Sequence, residues 1–228
     1  MGAGNTSPSV LTPDDAGIGE AVSLLAAGNI IAAPTDTVYG IAARLDRPDA
    51  LRRLFLAKGR PGAKAIPILL GDASDAAELS GEPHMLMALA DTFWPGGLTI
   101  VTEARPGLPS EVVTIGEDGS ETVALRLPDN DSMRALCRKS GGALAVTSAN
   151  ASGESPATST AAVVTAGLLH LAAVVDGGET PGPLPSTIVS VAGSHLRIIR
   201  EGVIPGDCVA GIWRDINAAA ERRGMISK

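Results

Sequence analysis

Aromatic residues are nearly missing from this chain: two Trp, two Phe and one Tyr in 228 residues. Its core must therefore be built from Ala, Val, Leu and Ile, with Gly allowing close backbone approach. Too few rings are present for a broad stacking platform for single-stranded nucleic acid. Cysteine is also scarce. Cys137 and Cys208 form no CxxC, and the three His stand far apart, so no zinc or iron–sulfur site can be read. Both thiols read as buried and free, as in a reducing compartment. Positive charge is in deficit, with 18 Lys and Arg against 25 Asp and Glu, net −7, which argues against an extended phosphate-binding surface. No apolar run approaches the ~20 residues of a membrane helix. The first ten residues, MGAGNTSPSV, lack the basic and apolar regions of a secretory signal. These absences together predict a soluble, cytoplasmic protein. Missing too are GxxxxGK[ST], GxGxxG after a strand, GxSxG and HExxH, so a nucleotide would be held by a less common device.

What is present is a chain 45% apolar, with 27 Gly and 16 Pro to make tight turns. Short apolar runs alternate with helical periodicities, which predicts an α/β domain with some antiparallel pairing near its end. Residues 1–11 read as a disordered lead, 12–205 as the domain, and 206–228 as a helical tail. Pro67 inside Ile66–Leu70 argues for an edge or bulged strand. Residues 72–79 read as a helix. Residues 105–121, rich in Gly, Pro and charge, read as a long loop or lid.

Chemistry is suggested at several places. Lys58-Gly59-Arg60-Pro61, with Lys64 close behind, puts three cations in one loop. Guanidinium forks onto phosphate oxygens and ammonium acts as a point charge, although a solvated basic turn has the same composition. Thr147-Ser148-Ala149-Asn150 closes an apolar strand with small polar groups suited to a phosphate or ribose, or to a simple cap. Arg126 interrupts the apolar strand Val123–Leu127. Buried there, it requires an anion or a carboxylate; alternating outward, it requires neither. Arg200, after Leu196–Ile199, poses the same question.

Taken in order, these segments resemble the YrdC-like threonylcarbamoyl-adenylate synthase family. The resemblance is carried by Pro34–Gly40, Lys58–Pro61, Trp94–Thr99, Val123–Pro128, Ser148–Asn150 with Ser152-Gly153, Pro185–Val189 and Ile199–Gly202, which span most of the chain. It implies a twisted mixed β-sheet surrounded by helices with a large concave basic cavity (YrdC/RibB-like). It also implies synthesis of threonylcarbamoyl-AMP and pyrophosphate from L-threonine, bicarbonate and ATP. A separate transferase complex would pass the product to tRNA as threonylcarbamoyladenosine. By position, Thr37, Arg126 and Ser186 would bind threonine. Lys58, Arg60 and Lys64 would line the phosphate site, with Lys58 and Arg60 the catalytic cations. Thr122, Ser148, Asn150 and Arg200 would lie at the nucleotide.

The sequence departs from the family pattern twice. Lys64 is followed by Ala65-Ile66-Pro67 where relatives run directly into Pro-Leu, and Pro156, beside Ser155, stands where some relatives place a nucleotide-contacting Ser. Longer members carry a further C-terminal domain, so the chain resembles the single-domain form. Mg2+ would arrive with ATP, without a dedicated protein site. Neither tight nucleic-acid binding nor membrane attachment is expected. The alternatives are an RNA-binding module, or a paralogue of the same fold that handles a carbamoyl adenylate.

Overall fold

The computed structural model describes residues 7–59, 64–192 and 195–222. Eleven strands form one mixed sheet. In chain order they are β1 (Ser9–Leu11), β2 (Ile30–Ala33), β3 (Gly40–Arg44), β4 (Ile68–Leu70), β5 (Leu98–Glu103), β6 (Val113–Ile115), β7 (Glu121–Arg126), β8 (Ala143–Ser148), β9 (Leu171–Val175), β10 (Thr187–Ala192) and β11 (His195–Arg200). The helices are α1 (Asp15–Ala26), α2 (Pro48–Ala57), α3 (Pro83–Phe93), α4 (Asp131–Lys139), α5 (Thr160–Thr165) and α6 (Gly206–Arg222). Across the sheet the order is β1-β9-β2-β3-β8-β4-β7-β5-β10-β11, with β6 added onto β7. Parallel pairs (β1–β9, β2–β9, β4–β7, β5–β10) mix with antiparallel ones.

β2, β4 and β9 read as continuous apolar runs because both of their faces are covered. Ile30 and Ala32 join one core cluster while Ile31 and Ala33 join the other; Ile68 and Leu70 are separated from Leu69 in the same way. The smaller cluster packs α1 (Ile18, Ala21, Leu25) and α4 (Met133, Leu136, Cys137) against its face. The larger takes Leu51 and Leu54 of α2, Leu86 and Leu89 of α3, and Val163 of α5. Val209 and Trp213 of α6 enter this same cluster, so the C-terminal helix is packed into the core. Helix starts follow local chemistry. The side chains of Asp14, Asn130 and Ser159 each accept an N–H of the first turn, and Pro48 and Pro83 stand where no backbone donor is needed.

Four expectations are corrected. Ser9–Leu11, inside the supposed disordered lead, pairs in parallel with Ala173–Val175. Pro67 does not mark an edge: β4 lies between β8 and β7, and begins one residue after the proline, whose carbonyl still accepts from Val146 N–H at 2.8 Å. The 105–121 segment contains β6, which pairs with β7. Residues 73–78 form a 3-10 helix, held by a reciprocal cap between Asp72 and Asp75.

Candidate active site

On the face served by α1 and α4, those helices lie against β1, β2, β3, β4, β8 and β9. Side chains pointing to the same face from β7, β5 and β10 (Arg126, Thr99 and Ile188) line a cavity of about 410 Å3. The end of α2, the Thr35–Gly40 turn and the loop after β8 complete it. Lys58, Lys64, Arg126 and Arg200 line it, and none of its described lining residues is Asp or Glu. A chain of net charge −7 thus gathers four cations around one space.

Arg126 answers the question its strand position raised. It is buried, and its Nη2 donates to Asp36 Oδ1 at 2.6 Å, its Nη1 to Thr37 Oγ1 at 3.1 Å and its Nε to the Gly96 carbonyl at 2.9 Å. Guanidinium has five N–H donors; these bonds use three and fix the plane of the group. Burial pushes its pKa down and the Asp36 charge opposes that shift. The acidic partner comes from the turn after β2, which Thr35 shapes. Its hydroxyl accepts from the N–H of Thr37 and of Val38 and donates to the Val38 carbonyl. Tyr39 anchors the far end of this turn. Its hydroxyl accepts from Gly177 N–H at 3.1 Å and lies 2.8 Å from the Gly178 carbonyl.

Lys58 closes α2 and reaches across to the end of β8. Its Nζ lies 2.8 Å from the Ser148 carbonyl, 3.1 Å from Ser148 Oγ and 2.9 Å from Asn150 Oδ1. All three are neutral acceptors that orient the ammonium. Asn150 is held in turn, its Nδ2 donating to the carbonyls of Ala151 and Glu154. The Ser–Ala–Asn segment is thus tied to the end of α2 through Lys58. Ser152 N–H donates back to the Lys58 carbonyl at 3.2 Å.

Arg200 reaches the cavity because of a bulge. Val189 pairs with Ile198, but Ile188 pairs with Arg200, leaving Ile199 as an extra residue. Strict alternation would send Arg200 to the face of Leu196 and Ile198; the bulge turns it to the face of Ile188. Its Nη2 donates to the Ser186 carbonyl at 2.8 Å and Ser186 Oγ at 3.3 Å. Burial first, and then the positive charge of Arg126, push the Arg200 pKa down. The two guanidinium groups feel each other across the cavity, and an anion there would relieve both.

Of the residues singled out from the sequence, Thr37, Lys58, Lys64, Arg126, Ser148, Asn150, Ser186 and Arg200 meet around this one cavity. Thr122 lies outside the lining. It faces the same way as Arg126 on β7, four residues or roughly 13 Å along the strand. Arg60 lies outside the described residues. At the departure near Pro156, the loop residues lining the cavity are Ser152 and Gly153, not Ser155 or Pro156. The sequence did not single out Asp36, Thr35 or Thr99, although a buried Arg126 requires a partner and Asp36 stands in a motif already marked. Cys137 is buried and its thiol is pushed up by burial, but Cys208 is exposed, against the expectation of two buried thiols. Among the described residues no three His, Cys, Asp or Glu converge to hold a metal, and no helix is long and apolar enough to cross a membrane.

Comparison with known proteins identifies the family. The Sua5–YciO–YrdC family model, described as telomere recombination, matches residues 23–202. A threonylcarbamoyl-AMP synthase of Bacillus subtilis is 35% identical over 89% of this chain, which spans 58% of that relative's length. A putative threonylcarbamoyl-AMP synthase of Mycobacterium tuberculosis is 32% identical, covering 86% of this chain and 88% of its own. Among solved structures, Sua5 of P. abyssi complexed with L-threonine superposes with a TM-score of 0.81 at 29% identity, covering 91% of this chain and 61% of that one. E. coli YciO shares the fold, with a TM-score of 0.75 at 21% identity over 86% of this chain and 96% of its own. With its family model spanning most of the sheet and all of the described cavity, this chain belongs to the Sua5–YciO–YrdC family.

Proposed function

We propose that this protein joins L-threonine, bicarbonate and ATP into threonylcarbamoyl-AMP, releasing pyrophosphate. The observation that carries the reading is the cavity lining: four cations, of which Arg126 is paired with Asp36, several small hydroxyls and no carboxylate among the described lining residues. A substrate pair with a triphosphate and an amino-acid carboxylate fits that lining. The names of the Bacillus and Mycobacterium relatives and the threonine complex of the P. abyssi protein support the same choice.

Arg126, Thr37 and Ser186 then take the amino acid. The two remaining Arg126 donors meet its carboxylate, and Asp36 keeps the guanidinium in plane. Lys58, Lys64 and Arg60 take the phosphates, with Ser148, Asn150 and Arg200 on the nucleotide side. The threonine amine adds to CO2 derived from bicarbonate and loses a proton to give a carbamate. A carbamate oxygen forms a bond to the α-phosphorus as the bond to pyrophosphate breaks. No protein nucleophile is needed. The chain's own contribution is alignment of the carbamate with the phosphorus, and positive charge where negative charge gathers on the phosphate oxygens. Mg2+ would come in with the ATP as part of the substrate, held by its phosphates and waters. The adenylate would then be consumed by a separate transferase acting on tRNA.

Incubation with ATP, Mg2+, threonine and 13C-bicarbonate tests the reading. It requires an adenylate whose mass includes threonine and one labelled carbon. Formation of an unlabelled adenylate, or of none, would contradict it.

A further inference from the structure

We propose that Thr99 is a positioning residue for amino-acid binding: it turns the Ser186 hydroxyl proton toward the ligand. The proposal rests on the reading that Ser186 contacts threonine. Thr99 lies in the middle of a row that crosses four strands. It pairs with Ile188, and Ile188 pairs with Arg200. Arg126 stands opposite Thr99, one step beyond the Ile100–Leu125 pair. Thr99 and Ile188 thus form the floor between the two arginines, and all four line the cavity.

Thr99 is buried, and its Oγ1 lies 2.8 Å from Ser186 Oγ. Arg200 can only donate, so Ser186 Oγ accepts from it. Among the described residues the Thr99 hydroxyl has no other hydrogen-bond partner. Either oxygen can donate in this pair, but Thr99 is the more deeply buried, 2% exposed against 7% for Ser186, so the proton left for the cavity is placed on Ser186. Thr99 therefore donates. Both lone pairs of Ser186 are then engaged, by Thr99 and by Arg200, and its own proton is left to point into the cavity. Ser186 becomes a fixed donor beside the Arg200 guanidinium, in the cavity that Arg126 also lines, suited to a carboxylate oxygen. Nothing in Thr99 itself has to touch the ligand.

Threonine binding measured by calorimetry on the whole chain tests this with Thr99→Val, Thr99→Ser, Ser186→Ala and the Thr99→Val/Ser186→Ala pair. Valine keeps the branched shape that suits a strand, so the melting temperature should stay within a few degrees of wild type. Thr99→Val should weaken threonine binding about threefold to tenfold, the worth of one neutral hydrogen bond. It should leave KM for ATP unchanged, and Thr99→Ser should restore the affinity. In the Ser186→Ala background Thr99→Val should have no further effect, because the two act as one unit. Wild-type affinity in Thr99→Val, or losses that add in the double variant, would overturn the role of Thr99 while leaving the functional reading intact. A wild-type chain that binds no threonine would overturn both.

Discussion

Arg126 Nη2 and Asp36 Oδ1 stand 2.6 Å apart, with their side chains 6% and 16% exposed, so a buried cation in the sheet is neutralised by the turn that follows β2. The pair joins the site's two halves in sequence, and removing one partner leaves the other charged and largely out of water. Arg126→Ala should therefore destabilise the fold by about 3 kcal/mol, the lower end for a broken buried pair because Asp36 keeps some exposure. Adding Asp36→Asn should recover much of that stability without restoring threonine use. Urea unfolding, read beside kcat/KM for threonine, checks both effects. Full activity in the double variant would remove Arg126 from the site.

Lys58→Met should act on ATP instead. A charge-assisted contact to phosphate is worth roughly 1.5–3 kcal/mol, so kcat/KM for ATP should fall roughly tenfold to two-hundredfold. Asn150→Ala removes one of the acceptors that orient this ammonium and should produce the same defect in weaker form. Initial rates at varied ATP and saturating threonine measure both. A larger loss for Asn150→Ala than for Lys58→Met would invert the order of roles.

Serine should be used, but poorly. It differs from threonine by one methyl group, and a pocket values that difference at about 1–3 kcal/mol, giving about tenfold to two-hundredfold discrimination. The measurement is kcat/KM for the two amino acids in competition. Equal values would contradict a dedicated threonine pocket.

Acid should weaken the fold through aspartates held in hydrogen bonds. Asp176 accepts from the Thr160 hydroxyl at 2.7 Å and from Gly178 N–H at 3.1 Å, and these bonds, the Thr160 bond first, lower its pKa below the usual 3.8. A carboxylate with a depressed folded pKa contributes stability that is present above its unfolded pKa and lost as pH falls through the folded value. Asp176→Asn should therefore lower stability at neutral pH and narrow the gap to wild type below about pH 4. Urea midpoints at neutral pH and in acid measure that gap. A gap unchanged in acid would show that Asp176 does not titrate with folding.

Much of this is legible in the sequence. The alternation of short apolar runs with helical periodicities points to an α/β domain, and Lys58, Arg126, Ser148 and Arg200 stand out because each breaks an apolar or Gly-rich context. What stayed hidden depended on pairing between distant segments. Ser9–Leu11 is too short to show a period and is a strand only because β9 offers an edge. Pro67 suggested an edge because local rules cannot see that the ladder starts one residue later. Asp36 and Thr99 look like ordinary turn and strand residues until Arg126 and Ser186 are placed beside them. The one-residue bulge that swings Arg200 into the cavity has no signature in Leu196–Arg200 itself.

Binding of tRNA should be weak at physiological salt. The cations that gather do so in one cavity, on a chain of net charge −7, and non-specific affinity scales with the phosphates neutralised. Labelled tRNA titrated at two salt concentrations, with and without ATP, measures it. Sub-micromolar binding that survives physiological salt and saturating ATP would favour an RNA-binding role.

Pyrophosphate release, followed continuously with ATP, L-threonine and bicarbonate each omitted in turn, tests the central claim most directly. A cavity that aligns a carbamate with the α-phosphorus must have all three substrates to expel pyrophosphate, so each omission should abolish turnover. Robust release without threonine would contradict the account.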